Sequence, residues 1–328
     1  MDLLLLTLFL IVSLYVLIKS SDLFIDSAEQ IGKWLAIPPF VIGVTIVALG
    51  TSLPELITSL IAVSENSSEI VLGGVIGSNI ANILLILGIA SLFTNSMNIS
   101  WNIFYSDLPI FFVSGGMFCF VVLPLGQSAA NNYVTIGESL LLLAGYFIYI
   151  WFFITDRQAS SDDVAKKDKS KKKKTNQSLP TKVPVFLVLG SLGIYFGASY
   201  TVECVIKISE IIKVAKDIIA SSAVAIGTSL PELMVSIAAV RKKQFDIAFG
   251  NVAGSNVFNI FAVVGIPGIF AGGKLIVPAS VITLGLPYLI FSYILFLVIM
   301  MDNKVTRMEG AALLLCYALF MGKLFNVI

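Results

Sequence analysis

Apolar residues fall into ten long runs, near 2–20, 40–63, 70–94, 105–124, 135–155, 184–206, 218–240, 246–270, 275–300 and 308–326, separated by polar turns. Most runs approach the roughly 20 residues a helix needs to cross the hydrocarbon core of a bilayer. In lipid a helix pairs its backbone groups within itself, so the pattern predicts an all-α integral membrane protein with ten transmembrane helices. The first run begins at Met1 but has no basic n-region and no small-residue cleavage site before Ser20 and Ser21, so it reads as a helix and not as a secretory leader. Composition agrees: 57% of residues are hydrophobic and 12% charged, with a mean hydropathy of +0.96, outside the range of a soluble domain.

One segment breaks the pattern. Residues 156–183, from Asp156 through Lys166, Lys167, Lys169 and the Lys171 to Lys174 tract to Lys182, are charged and lack apolar periodicity, the signature of a disordered linker. Its positive charge places it in the cytoplasm. Five runs precede it, so the N-terminus is external. Lys19 and Lys33, then Arg241, Lys242 and Lys243, then Lys304 and Arg307 also fall inside, while Lys207, Lys213 and Lys216 are a weak exception offset by Glu210 and Asp217.

The halves on either side of this linker, 1–155 and 184–328, repeat each other. Val47-Ala48-Leu49-Gly50-Thr51-Ser52-Leu53-Pro54-Glu55-Leu56 returns as Val224-Ala225-Ile226-Gly227-Thr228-Ser229-Leu230-Pro231-Glu232-Leu233, an offset of 177 (232 − 55). The same offset maps Gly77-Ser78-Asn79-Ile80-Ala81-Asn82-Ile83 onto Gly254-Ser255-Asn256-Val257-Phe258-Asn259-Ile260. A duplicated unit with an odd number of spans must enter the membrane from opposite faces, which predicts two inverted-topology five-helix repeats meeting near the midplane.

The repeated segments carry the candidate chemistry. A carboxylate inside an apolar span costs at least about 2.5 kcal/mol on insertion scales and marks a functional site, which singles out Glu55 and Glu232. Ala48, Thr51, Ser52 and Glu55, like Ala225, Thr228, Ser229 and Glu232, follow the spacing of one helical face. Pro54 and Pro231 remove a helical hydrogen bond and free the carbonyls of Gly50 and Gly227 as possible ligands. In the next span Ser78 and Asn82, with Ser255 and Asn259, add oxygens four residues apart. Carboxylate, hydroxyl, amide and carbonyl oxygens suit Na⁺ and Ca²⁺. Two glutamates in a low dielectric repel, so a site of this kind seeks cations or protons, and either one Ca²⁺ or two or three Na⁺ neutralise it. That favours exchange over uniport.

Paired G-T-S-L-P-E and G-S-N-x-x-N segments resemble the two alpha-repeats of the sodium/calcium exchanger branch of the cation/calcium antiporter superfamily, over essentially the whole chain. The resemblance implies ten helices, ion sites between the second and third helices of each half, and sliding of the first and sixth helices during alternating access. It also implies exchange of three Na⁺ for one Ca²⁺. By motif it makes Glu55 and Glu232 the shared carboxylates. Thr51, Ser52, Thr228, Ser229, Ser78 and Ser255 then supply hydroxyl or carbonyl oxygens, Ala48 and Ala225 supply carbonyls, and Asn82 and Asn259 supply amides. Related microbial exchangers and the potassium-dependent branch often carry aspartate where this chain has Asn259; an amide lacks the charge to help hold K⁺, so potassium independence is expected. The stretches where the calcium/proton branch has a further acid are acid-free here, which argues against proton coupling.

Other residues read as structure. Gly73 and Gly77, with Gly250 and Gly254, have the spacing of close helix packing. Asn79 and Asn256 are open to backbone or ion bonding. Glu138, Glu203 and Asp107 lie near span ends. Cys119, Cys204 and Cys316 lie in apolar spans as packing residues. With no histidine in the chain, Ser-His-Asp and Cys-His catalysis and histidine proton relays are absent, and an enzyme is not expected. The expectation is an electrogenic Na⁺/Ca²⁺ antiporter of a prokaryotic inner membrane, with no cofactor, no nucleic acid and no obligate protein partner. Exchange of H⁺ or another divalent ion, and a passive cation channel, are the competing readings.

Overall fold

The computed structural model describes residues 3–35, 37–100, 103–123, 132–167, 180–211 and 229–325. Its helices, in chain order, are α1 (Leu3–Trp34), α2 (Pro39–Ser64), α3 (Glu69–Leu92), α4 (Ile103–Val122), α5 (Ile136–Lys167), α6 (Lys182–Ile211), α7 (Leu230–Arg241), α8 (Phe245–Phe270), α9 (Val281–Met300) and α10 (Arg307–Leu324). Among the described residues, α1, α2, α3, α8, α9 and the Lys182–Ile208 part of α6 are long and apolar enough to cross a membrane, with shorter apolar stretches at Leu108–Val122 and Ile136–Phe152. The protein is an integral membrane protein of helical architecture. Large apolar side chains such as Leu4, Phe147, Trp151 and Met308 point outward, where lipid supplies the apolar surroundings that a protein core would otherwise provide.

Polar groups gather inward. Thr51, Ser52, Glu55, Ser78, Asn79, Asn82, Ser229, Glu232, Ser236, Asn251, Ser255, Asn256 and Asn259 are all buried. They lie on α2, α3 and α8, and on α7 and its N-cap. Helix α2 crosses α8 closely: a Cβ on Gly250 would lie 2.3 Å from the carbonyl of Phe40, and one on Gly254 would lie 2.5 Å from that of Val44. The glycine spacing of the second half thus serves close packing. Gly73 and Gly77 meet nothing within 4 Å among the described residues.

Several contacts come in pairs related by the sequence repeat. Strand β1 (Ser96–Asn98), after α3, pairs antiparallel with β4 (Lys304–Thr306), before α10; β3 (Leu275–Ile276), after α8, pairs with β2 (Tyr133–Val134), before α5. The last turns of α3 pack on α10 and those of α8 on α5. Both α5 and α10 begin with the same cap, Thr135 with Glu138 and Thr306 with Glu309, in which hydroxyl and carboxylate satisfy each other's backbone N–H. The turns between paired helices also match, with Asn66 at φ 58° and Lys243 at φ 60°. Helix α1 lies along α6, with the main chain of Leu17 and Phe24 against Gly197 and Gly190.

The elements depart from the hydropathy reading in three places. Helix α1 continues past the apolar run to Trp34, because Asp22, Asp26 and Glu29 occupy outward positions while Phe24, Ile25 and Ala28 stay buried. Helix α5 continues to Lys167, into the segment read as linker; extending a formed helix carries no nucleation cost. The rest of the tract through Lys174 lies outside the described residues. Finally, α2, α3, α8 and α9 each contain a π-helical stretch, at Gly43–Val47, Asn82–Ile86, Asn259–Val263 and Val281–Gly285. Hydropathy carries no signal for such a widened turn, which often marks a functional site.

Lys242, in the α7–α8 turn, is tied to α1: its Nζ lies 2.6 Å from Asp26 Oδ1 and donates to the carbonyl of Asp22 at 2.7 Å. Asp26 is about half exposed, so the ion pair is screened. Lys242→Ala is therefore expected to cost no more than about 1 kcal/mol. Thermal unfolding in detergent checks this, and the difference from wild type should shrink in high salt.

Candidate ion-binding site

The two glutamates predicted from the repeat are both buried, and Ser52, beside Glu55 on one helical face, joins them at one centre by its bond to Glu232. Glu55 comes from the middle of α2 and Glu232 from the first turn of α7. Ser52, one turn before Glu55, donates its hydroxyl to Glu232 Oε1 at 2.8 Å, so the α2 face reaches directly into the other half. Thr51 shares that face. Its hydroxyl lies 3.2 Å and 3.3 Å from the carbonyls of Val47 and Ala48 and 3.1 Å from Asn251 Oδ1.

Proline acts differently in the two copies. Helix α2 runs through Pro54 without a break. The carbonyl of Gly50, freed by that proline, is reached by the Ser191 hydroxyl of α6 at 3.4 Å, which ties it to a neighbouring helix. In the second copy Pro231 sits in the first turn of α7, where its missing N–H costs nothing. Gly227, Thr228 and Ala225 lie outside the described residues.

The asparagines of α3 and α8 interlock at the crossing of those helices. Asn82 Nδ2 donates to Asn256 Oδ1 at 2.8 Å, and Asn259 Nδ2 donates to Asn79 Oδ1 at 3.2 Å. Asn79 Nδ2 donates to the carbonyl of Asn256 at 3.2 Å, and Asn256 Nδ2 to that of Asn79 at 3.3 Å. The alternative left open for Asn79 and Asn256 is thus decided for backbone and side-chain bonding.

Buried oxygens remain over. Glu55 Oε1 and Oε2, Glu232 Oε2, Asn82 Oδ1, Asn259 Oδ1, Ser229 Oγ and Ser255 Oγ have no hydrogen-bond partner among the described residues. An unsatisfied buried acceptor costs about 1–3 kcal/mol, and more if charged. An accumulation of them is not what packing alone selects. Seven oxygens, two carboxylates among their sources, with no sulfur or imidazole, make a hard, all-oxygen ligand set of the kind that holds a desolvated cation.

Three further polar residues escaped the reading of the repeat. Asn251 is fully buried and bridges the halves: its Oδ1 accepts from the Thr51 hydroxyl at 3.1 Å, while its Nδ2 donates to Ser236 Oγ at 3.0 Å and to the carbonyl of Glu232 at 3.4 Å. Its counterpart 177 residues earlier is Gly74, so a search for repeated polar residues passes over it. The signal was the i, i+4, i+8 stripe Asn251, Ser255, Asn259 on α8. Thr58 and Ser59, one turn beyond Glu55, line a cavity of about 40 Å³ with Glu55, Gly74 and Ser78. That is room for a water or two by this measure.

An acidic, oxygen-lined centre enclosed by membrane-spanning helices defines the class: an integral membrane protein built to handle hard cations. The comparisons agree. The family model "Sodium/calcium exchanger protein" matches residues 5–155 and 182–325. The sodium/calcium exchanger MaX1 of Methanosarcina acetivorans is 34% identical over 98% of both chains, and the inner membrane protein YrbG of Escherichia coli is 32% identical over 83% of this chain and 82% of its own. A solved structure of the sodium-calcium exchanger NCX_Mj, soaked with zero Na⁺ and Ca²⁺, superimposes with a TM-score of 0.79 at 26% identity, covering 98% of this chain and 100% of that one. The chain belongs to the sodium/calcium exchanger family.

Proposed function

We propose that this protein exchanges Na⁺ for Ca²⁺ by alternating access, through one centre built around Glu55 and Glu232. The observation that carries the reading is the set of buried oxygens on both glutamates, both outer asparagines, Ser229 and Ser255 that have no hydrogen-bond partner among the described residues. With Thr51, Ser52, Ser78 and the carbonyl of Ala48, and with Thr228 and Ala225 of the second copy, they form the ligand set. Two carboxylates match the charge of one Ca²⁺. Three Na⁺ against one Ca²⁺ moves one net charge per cycle, so the exchange is electrogenic.

The architecture that goes with this function is ten membrane-spanning helices in two inverted halves, 1–155 and 184–328, joined by the cytoplasmic segment 156–183, with the N-terminus external. Support comes from the sequence offset of 177, which the turns at Asn66 and Lys243 and the asparagines keep, and from the paired strands and caps, which recur in the same order at other spacings, 171 for the caps (306 − 135). Two halves that exchange roles across a pseudo-symmetric site are the usual basis of alternating access. Neutral Asn259 leaves the centre one carboxylate short of what a potassium-coupled site would carry, so exchange proceeds without K⁺.

The test is ⁴⁵Ca²⁺ uptake into Na⁺-loaded proteoliposomes. Uptake should require an outward Na⁺ gradient, rise when the interior is held positive, because net positive charge leaves, and be unchanged by omitting K⁺. Uptake driven by a pH gradient and indifferent to Na⁺ would replace this reading with H⁺/Ca²⁺ exchange. Flux that ignores every opposing gradient would indicate a channel.

A further inference from the structure

We infer that Asn79 and Asn256 are positioning residues: an interlocked pair that fixes which end of the Asn82 and Asn259 amides is presented to the ion. The inference rests on the site proposed above. An asparagine amide offers an acceptor oxygen on one side and a donor NH₂ on the other, and a half-turn about its terminal bond exchanges them. A cation binds the oxygen and is repelled by the NH₂. An amide at a cation site is therefore useful only when something dictates its orientation.

The four asparagines supply that dictation in a chain that ends on a group unable to turn over. The backbone carbonyl of Asn79 can only accept, so it holds the NH₂ of Asn256, 3.3 Å away. The oxygen of Asn256 then faces Asn82, and it can accept only from the NH₂ of Asn82, at 2.8 Å. What is left of Asn82 is its Oδ1, buried and without a partner among the described residues. The mirrored chain runs from the carbonyl of Asn256 to Asn79 at 3.2 Å and on to Asn259 at 3.2 Å, leaving Asn259 Oδ1 as the free atom. All four side chains are 0–1% exposed, so water does not compete for these bonds. Each half thus orients the amide of the other: Asn256 sets Asn82, and Asn79 sets Asn259.

Such an arrangement predicts a crossed pattern of coupling. In proteoliposomes assayed for Na⁺-driven Ca²⁺ uptake, Asn256→Ala should raise the Ca²⁺ KM about tenfold, the equivalent of one misdirected ligand, with kcat per folded protein within about twofold of wild type. In an Asn82→Ala background, where no amide is left to orient, the same Asn256→Ala change should leave KM within about twofold of that background. Asn79→Ala in that background should retain its full penalty, since Asn79 acts on Asn259, and should lose it only with Asn259→Ala. Should Asn256→Ala not be recovered folded, the mirrored set built on Asn79→Ala and Asn259→Ala decides alone. Equal penalties in both backgrounds, or coupling of Asn79 to Asn82, would overturn the brace while leaving the exchanger intact. A wild type without Na⁺-driven Ca²⁺ uptake would instead overturn the proposed site, and this inference with it.

Discussion

Glu55→Gln and Glu232→Gln are each expected to lower Na⁺-dependent Ca²⁺ uptake by at least about a hundredfold while leaving the protein folded. Either change removes one of two charges that face a divalent ion in a dry interior. Taking away one partner of a buried charge pair costs about 3–5 kcal/mol, and every 1.4 kcal/mol is a factor of ten in affinity. Folding should survive for a physical reason. Two buried carboxylates at one centre, with three of their four oxygens lacking a hydrogen-bond partner among the described residues, strain the ion-free protein, and neutralising one relieves that repulsion. The Ser52 hydroxyl can still donate to the remaining carbonyl oxygen at position 232. Without Ca²⁺, thermal unfolding in detergent should therefore place both variants at or above wild type. Added Ca²⁺ should raise wild type by about 2.7 kcal/mol at a hundredfold excess over Kd and leave the variants unmoved. A variant that unfolds earlier than wild type in ion-free buffer would mean that the glutamate serves the fold.

How far the sequence foretells this site depends on whether a residue's role is local or lies between helices. Glu55, Glu232, Asn82 and Asn259 were legible because a polar group in an apolar run is anomalous wherever it occurs, and because repetition at a constant offset makes coincidence untenable. The crossing of α3 and α8 then turns that offset into contact, since Asn82 reaches Asn256 and Asn259 reaches Asn79. Asn251 was missed because its role has no mate in the first half. Pro54 cannot donate to the carbonyl of Gly50, but that carbonyl's partner, Ser191, lies on a helix that local spacing cannot place. Hydropathy likewise ended the first helix near Lys19, because a window average cannot separate the buried side of α1 from the side carrying Asp22, Asp26 and Glu29. The π-helical stretches leave no mark on hydropathy at all.

Gly250→Ala is expected to injure this protein more than any other single added methyl discussed here, and to injure transport more than stability. The new Cβ would stand 2.3 Å from the carbonyl oxygen of Phe40, 2.8 Å from the amide nitrogen of Val44 and 2.9 Å from the Cα of Gly43. All three are backbone atoms, so no side chain can turn aside, and α2 must move away from α8 by roughly an ångström to restore ordinary contact. Overpacking of this kind costs about 1–3 kcal/mol, which thermal unfolding in detergent would register. The larger effect falls on the site, because the same crossing sets Thr51 against Asn251 at 3.1 Å and brings Ser52 to Glu232 at 2.8 Å. Misplacing a functional group by an ångström can cost about a hundredfold in rate, so Na⁺-driven Ca²⁺ uptake should fall by a factor of that order in protein that still folds. Gly116→Ala supplies the comparison: it adds the same methyl on an exposed position of α4 with nothing within 4 Å among the described residues, and should be neutral or stabilise by up to about 1 kcal/mol through helix propensity. Equal effects of the two substitutions on uptake would mean that the closeness of α2 and α8 does not govern the site. A large loss confined to Gly250→Ala would show that the ligand geometry is set by how nearly two backbones touch.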